Sequence, residues 1–281
     1  MKGLRRLGSI VVMFSLALGL VATSGPDSQA KTKSYTIFAG EAGQISIYGA
    51  KIKSVKSSKK SVIKAKKKSS NQVNVVSKKA GKATVTVKTN RGNSYYKFKV
   101  VKPKVTCKLK SIANTSGSIY AVAFEIVNKT SLPIYKAQIN YSLFDAAGTP
   151  IKEDYQTVYH LPKGKKAHIV VTAYSASPIT SASASLGGAA SYMGYKTKDV
   201  SKKVTAKLNG TKSITLKSKV SGSVSGVAEV LGYDANGNII DVYSATISFY
   251  KKGKETRSIY LGSGPVRWTI SKRAVYQKYV G

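Results

Sequence analysis

Acidic residues, histidine and cysteine are scarce in this chain of 281 residues. Eleven Asp and Glu, two His and one Cys stand against 47 Lys and Arg. General acid–base catalysis draws on carboxylates and imidazoles. Metal centres draw on the same groups and on thiolates. Both have little to build on, so no catalytic, cofactor-binding or metal-binding residue is assigned and the chain reads as a non-enzyme. A single cysteine excludes an intramolecular disulfide. Cys107 lies on an alternating segment with Val105 and Leu109, so it reads as a small buried hydrophobe. A nucleophilic thiolate would need a base beside it, and no His is near in sequence. Apolar patterns of helical period are nearly absent. The longest apolar run is shorter than the about 20 residues of a membrane-spanning helix.

What the sequence does have is positive charge, 18 Tyr, 24 Gly and short alternating segments; its net charge is +36. The length predicts two or three domains. Residues 1–30 read as a secretory signal peptide. Lys2, Arg5 and Arg6 precede an apolar run from Ile10 to Ala22, and Gly25-Pro26 interrupts it. Ser28-Gln29-Ala30 fits a small-x-small cleavage site, with cleavage after Ser24 as the alternative. No Cys follows the apolar run, which argues against a lipid anchor, and Tyr279-Val280-Gly281 carries no sorting signal. The expectation is a secreted, cell-wall-associated protein with no membrane span after cleavage. An exported chain without disulfides fits a bacterium.

From residue 31 onward the pattern is all-β. Ala83, Val85 and Val87 alternate with Thr84, Thr86 and Lys88, and Tyr96, Phe98 and Val100 with Lys97 and Lys99. Such alternation buries one face and wets the other, as in an antiparallel sandwich. Lys79-Ala80-Gly81-Lys82 and Thr89-Asn90-Arg91-Gly92-Asn93 supply turns. Phe38-Ala39-Gly40-Glu41, Lys56-Ser57-Ser58-Lys59-Lys60-Ser61-Val62 and Lys79 to Val87 follow in an order that resembles the group 2 bacterial immunoglobulin-like domain. The family tryptophan is missing, with Val55 or Lys56 in its place, and Ile63 replaces a small residue. The resemblance implies an immunoglobulin-like sandwich over 31–104 and an adhesion or spacer role.

The remainder is duplicated. Phe144-Asp145-Ala146-Ala147-Gly148 returns 89 residues later as Tyr233-Asp234-Ala235-Asn236-Gly237, and Lys163-Gly164-Lys165 as Lys252-Gly253-Lys254. Each aromatic-Asp-x-x-Gly stretch predicts a hairpin with Gly148 and Gly237 at positive φ. Val105 to Leu109 resembles Val204 to Leu208 at an offset of 99. The units are placed at 105–200 and 201–281, each expected to fold independently. Their hairpins resemble small extracellular sandwich domains of the FxLYD type. Ser181 to Gly194 reads as a strand and then a linker. Val266, Trp268 and Ile270 are expected to face inward, with Trp268 as a core anchor.

Charge is concentrated at one end. Residues 31–104 hold 20 Lys and Arg against Glu41 alone. The nine lysines Lys51, Lys53, Lys56, Lys59, Lys60, Lys64, Lys66, Lys67 and Lys68 are the candidate polyanion-binding residues. A solvated surface would tolerate lysines, but so large an uncompensated charge repels itself and calls for a counter-polyanion. Lysine is a point charge without the fork used in bidentate recognition, so the expected partner is an anionic cell-wall polymer, teichoic acid being one example. Two alternatives stand beside it: an adhesin for host matrix polyanions or extracellular DNA, and a secreted hydrolase. Nucleic acid would gain from stacking on Tyr95-Tyr96-Lys97-Phe98-Lys99, yet Tyr96 and Phe98 fall on the apolar side. Asp234 to Asn238 faintly resembles a calcium loop with its Gly misplaced. His160 and His168 flank the Lys-Gly-Lys turn, as if on adjacent strands; a triad through them would have to assemble across the fold.

Overall fold

The computed structural model describes residues 31–279. The expected signal peptide and the last two residues lie outside that range. The fold is all-β, and among the described residues a 3-10 turn at Ser201–Lys203 is the only helical element. No helix among them is long and apolar enough to cross a membrane.

Residues 31–101 supply β1 (Lys31–Phe38), β2 (Ala42–Ser46), β3 (Ile52–Ser57), β4 (Ile63–Lys67), β5 (Gln72–Ser77), β6 (Gly81–Thr89) and β7 (Gly92–Val101). They form a four-stranded sheet, β1-β7-β6-β3, and a three-stranded sheet, β2-β5-β4. β1 runs parallel to β7. The alternation seen in the sequence sets the faces: Val85, Val87, Tyr96, Phe98 and Val100 share a buried core with Ile45, Ile63 and Val73. Lys97 and Lys99 alternate outward into solvent. Each fully buried aliphatic or aromatic side chain there contributes about 1.5–3 kcal/mol.

Two six-strand plans follow. The first has β8 (Val105–Ser116), β9 (Ile119–Asn128), β10 (Ile134–Phe144), β11 (Pro150–Leu161), β12 (Lys166–Tyr174) and β13 (Ser181–Ala190). Its sheets are β12-β9-β8 and β11-β10-β13. After the short β14 (Tyr195–Asp199) come β15 (Val204–Asn209), β16 (Ser213–Ser218), β17 (Val224–Tyr233), β18 (Ile239–Phe249), β19 (Gly253–Ser258) and β20 (Arg267–Tyr279). These repeat the connectivity as β15-β16-β19 and β18-β17-β20, with β14 added beside β20. The stretch Ser181–Gly194 is therefore strand β13 and a four-residue link. β14 precedes residue 200 but hydrogen-bonds into the last unit's sheet.

The duplicated hairpins share their backbone hydrogen bonds. The Gly148 N–H donates to Asp145 O and the Gly237 N–H to Asp234 O, both at 3.1 Å. One carboxylate oxygen of each Asp accepts the N–H four residues on, from Thr149 and Asn238, both at 2.8 Å. Gly148 (φ 77°) and Gly237 (φ 81°) take the left-handed conformation that a side chain resists. The Lys-Gly-Lys match is looser: Gly164 sits in a turn at φ 72°, whereas Gly253 opens β19 and is not left-handed.

Three apolar cores follow the chain, but they are not sealed from each other. Phe38 of β1 is buried in the second core beside Phe124 and Ile139. Met193 is buried in the first. Ala123 meets Leu231 and Ile239 in a smaller cluster between the second and third units. Cys107 is half-buried against the second core. Val266 is 70% exposed, because β20 starts only at Arg267 and Val266 belongs to the loop before it. Trp268 is half-buried against the third core.

Candidate functional site

All nine candidate lysines are exposed, and the fold gathers them along one side of the first sandwich. β3 is an edge of the four-stranded sheet and β4 an edge of the three-stranded sheet. The chain crosses between the sheets through Lys59 and Lys60. The Ser57 hydroxyl bonds to Ile63 O at 2.7 Å, and Lys67 Nζ reaches back to Ile52 O at 2.6 Å. Lys53 and Lys56 ride β3, Lys53 at a register shift; Lys64, Lys66 and Lys67 ride β4. Lysines and bulges on edge strands also prevent unwanted strand pairing, so this edge alone does not distinguish binding from protection.

The outer face of the four-stranded sheet carries lysines away from any edge. Lys82 on β6 lies directly opposite Lys99 on β7, and Lys99 faces Thr36 on β1. In the neighbouring row Ser34, Lys97 and Thr84 align. Like charges directly opposite each other in a sheet are destabilising, and these lysines are not at an edge. A shallow groove over this face is lined by Ser34, Thr36, Lys82, Thr84, Lys97 and Lys99. Sequence reasoning placed Lys97 and Lys99 on the wet face but did not name Lys82, Lys97 or Lys99 as a site. The signal available was their period-two spacing; the cross-strand register that joins them was not.

None of these twelve lysines makes an ion pair among the described residues. The reason is Glu41, the one acid among residues 31–104. It is only 4% exposed. Its carboxylate accepts the Ser191 N–H and, at 3.0 Å, the Ser191 hydroxyl. Burial pushes its pKa up to about 7 despite those bonds. Lysines of the second unit are treated differently: Lys166 pairs with Glu125 at 2.8 Å and Lys165 with Asp199 at 3.7 Å. The third unit has a further open groove lined by Lys217, Lys219, Lys252 and Lys254, with Lys217 directly opposite Lys254.

The other candidate chemistry is used up internally. His160 and His168 are not on adjacent strands, since β11 and β12 belong to different sheets. His168 Nδ1 is 2.7 Å from Glu229 Oε1, and its Nε2 is 3.8 Å from Glu125. Glu229 also takes the His168 N–H and, at 2.7 Å, Arg273 Nη1, all in the interface between the second and third units. His160 Nδ1 meets the Tyr192 hydroxyl at 2.6 Å, and burial followed by the Arg273 charge lowers its pKa to about 4. Neither imidazole has a serine hydroxyl among its side-chain bonds. Burial pushes the Cys107 thiol up to about 11, far from a reactive thiolate. The Asp234 carboxylate is filled by Asn238 of its own turn. No cluster of three potential metal ligands occurs among the described residues. Tyr96 and Phe98 are 2% exposed, so neither offers a stacking face. No family model matches the chain, and no curated protein gives a significant sequence match.

Proposed function

We propose that this is a non-catalytic, exported polyanion-binding protein that holds anionic cell-envelope polymers on its first unit. The observation that carries the reading is the burial of Glu41: it leaves the lysines of the β3/β4 edge and of the β6/β7 face facing solvent with no acid of their own unit to neutralise them. The four-plus-three sheets of residues 31–101, with β1 parallel to β7, support the group 2 immunoglobulin-like reading. The repeated six-strand plan supports the FxLYD-type reading of the rest. The DNA alternative loses its aromatic support with Tyr96 and Phe98 inside, and the hydrolase alternative loses both histidines to interior contacts.

The test is a pull-down with teichoic-acid-bearing walls across a salt series. Charge-held binding should fall steeply as the Debye length shrinks from about 10 Å at 0.1 M to about 3 Å at 1 M salt. Neutralising Lys64, Lys66, Lys67 and Lys68 to Gln should weaken retention more than neutralising Lys163, Lys165 and Lys166, two of which already have acid partners. Salt-insensitive retention would move the binding function elsewhere.

A further inference from the structure

β1 separates two depressions that share its residues Ser34 and Thr36. On one side lies the lysine groove. On the other lies a more enclosed cavity of about 260 Å³ between the first unit and the link to the third, lined also by Pro133, Tyr192, Tyr195 and Thr197. We propose that this cavity is a neutral-sugar subsite, so that the polymer held on the lysines is one whose phosphodiester backbone carries sugar substituents. The proposal rests on the polyanion reading for the lysine groove, but the cavity stands on its own chemistry.

Its volume is just below the about 300 Å³ at which pockets for drug-sized ligands begin. It has room for one ring and not for an extended chain. A sugar ring presents apolar C–H faces and a rim of hydroxyls. The cavity offers the complement: tyrosine rings, and the hydroxyls of Ser34, Thr36 and Thr197, each able to donate and to accept. Its one charged lining residue is Lys196, and no carboxylate lines it. Glu41 is bound behind it to Ser191. A compact anion is therefore better served by the lysine groove, and a cation by neither.

The Tyr192 wall is fixed before any ligand arrives. Its hydroxyl is held by His160, and its ring lies edge-on to Tyr135 with centroids 5.4 Å apart. His160 takes φ 51°, the only left-handed non-glycine among the described residues. Such strain persists only where surrounding structure imposes it, and it gathers at ligand sites. Here it sets the imidazole that locks the tyrosine.

Saturation-transfer NMR with methyl hexosides and methyl N-acetylhexosaminides tests the cavity on the full chain. At least one sugar should give contacts that Tyr195→Ala weakens tenfold or more. Thr36→Trp, a filling substitution at an exposed strand position, should abolish them. The pair Lys97→Gln, Lys99→Gln should leave them unchanged. In parallel, poly(glycerol phosphate) with hexosyl substituents should bind more tightly than the bare polymer, and Tyr195→Ala should remove only that gain. No sugar contacts, or a gain that survives both cavity variants, overturns the subsite while leaving the polyanion reading intact. Sugar contacts without binding of either polymer would support the subsite and sink the polyanion reading.

Discussion

Glu41 shows how one residue sets the character of a surface it does not belong to. Folded Glu41 keeps its proton up to about pH 7, against a usual value of 4.5. Between those values the folded state binds more protons, so this group's contribution is full below pH 4.5 and lost as the pH rises to 7. Its size is on the order of 3 kcal/mol, at about 1.4 kcal/mol per pH unit of displacement. His160 runs the other way. Its value is lowered from 6.5 to about 4, so its contribution is full above pH 6.5 and lost as the pH falls to 4. From pH 4.5 to 6.5 the two offset each other. Glu41→Gln should unmask the histidine: urea midpoints should then fall steadily from pH 6.5 to 4.5, while the parent stays nearly level. An unchanged profile would mean that Glu41 is ionised in the fold. None of this was legible in the sequence, because Ser191 lies 150 residues from Glu41.

At the level of strands, the sequence was most informative where structure is local. Val85, Val87, Tyr96 and Phe98 were placed inside by alternation alone, and the Asp145 and Asp234 turns by residue type. What alternation cannot supply is register. Lys82 and Lys99 are 17 positions apart in sequence and directly opposite in the sheet. Two charges so placed oppose folding, which yields a paired prediction. Lys82→Glu replaces repulsion by a cross-strand ion pair and should raise stability by about 0.5 kcal/mol, while polymer retention at low salt drops. Denaturant midpoints and wall pull-downs on one preparation measure both. A variant that is less stable, or that binds as before, would show that the face was not selected for charge. The edge lysines were legible as a run, yet the run alone could not show that they span two sheets.

For the whole molecule, duplication suggested independent units, and the interfaces alter that expectation. Glu229 and Arg273, 1% and 4% exposed, belong to the third unit but bond to His168 and to Tyr159 O of the second. The Ser111 hydroxyl meets the backbone of Ile239 across the same boundary. Glu229→Ala leaves the Arg273 charge buried without its partner, a loss of about 3–5 kcal/mol. The second unit's unfolding transition should move down with the third's, although the substitution lies outside it; calorimetry with a tryptophan readout from Trp268 resolves the two. A second-unit transition that stays put would restore independence. Sequence patterns show what each unit buries and say little about what adjacent units bury together. The parallel pairing of β1 with β7 adds a mechanical consequence. Because the two strands run the same way, the start of β1 and the end of β7 leave the first sandwich at opposite ends. A protein tethered beyond β7 and pulled through the start of β1 would therefore load that ladder lengthwise. Its hydrogen bonds would share the force together instead of opening one at a time, which suits a unit that must stay folded under tension.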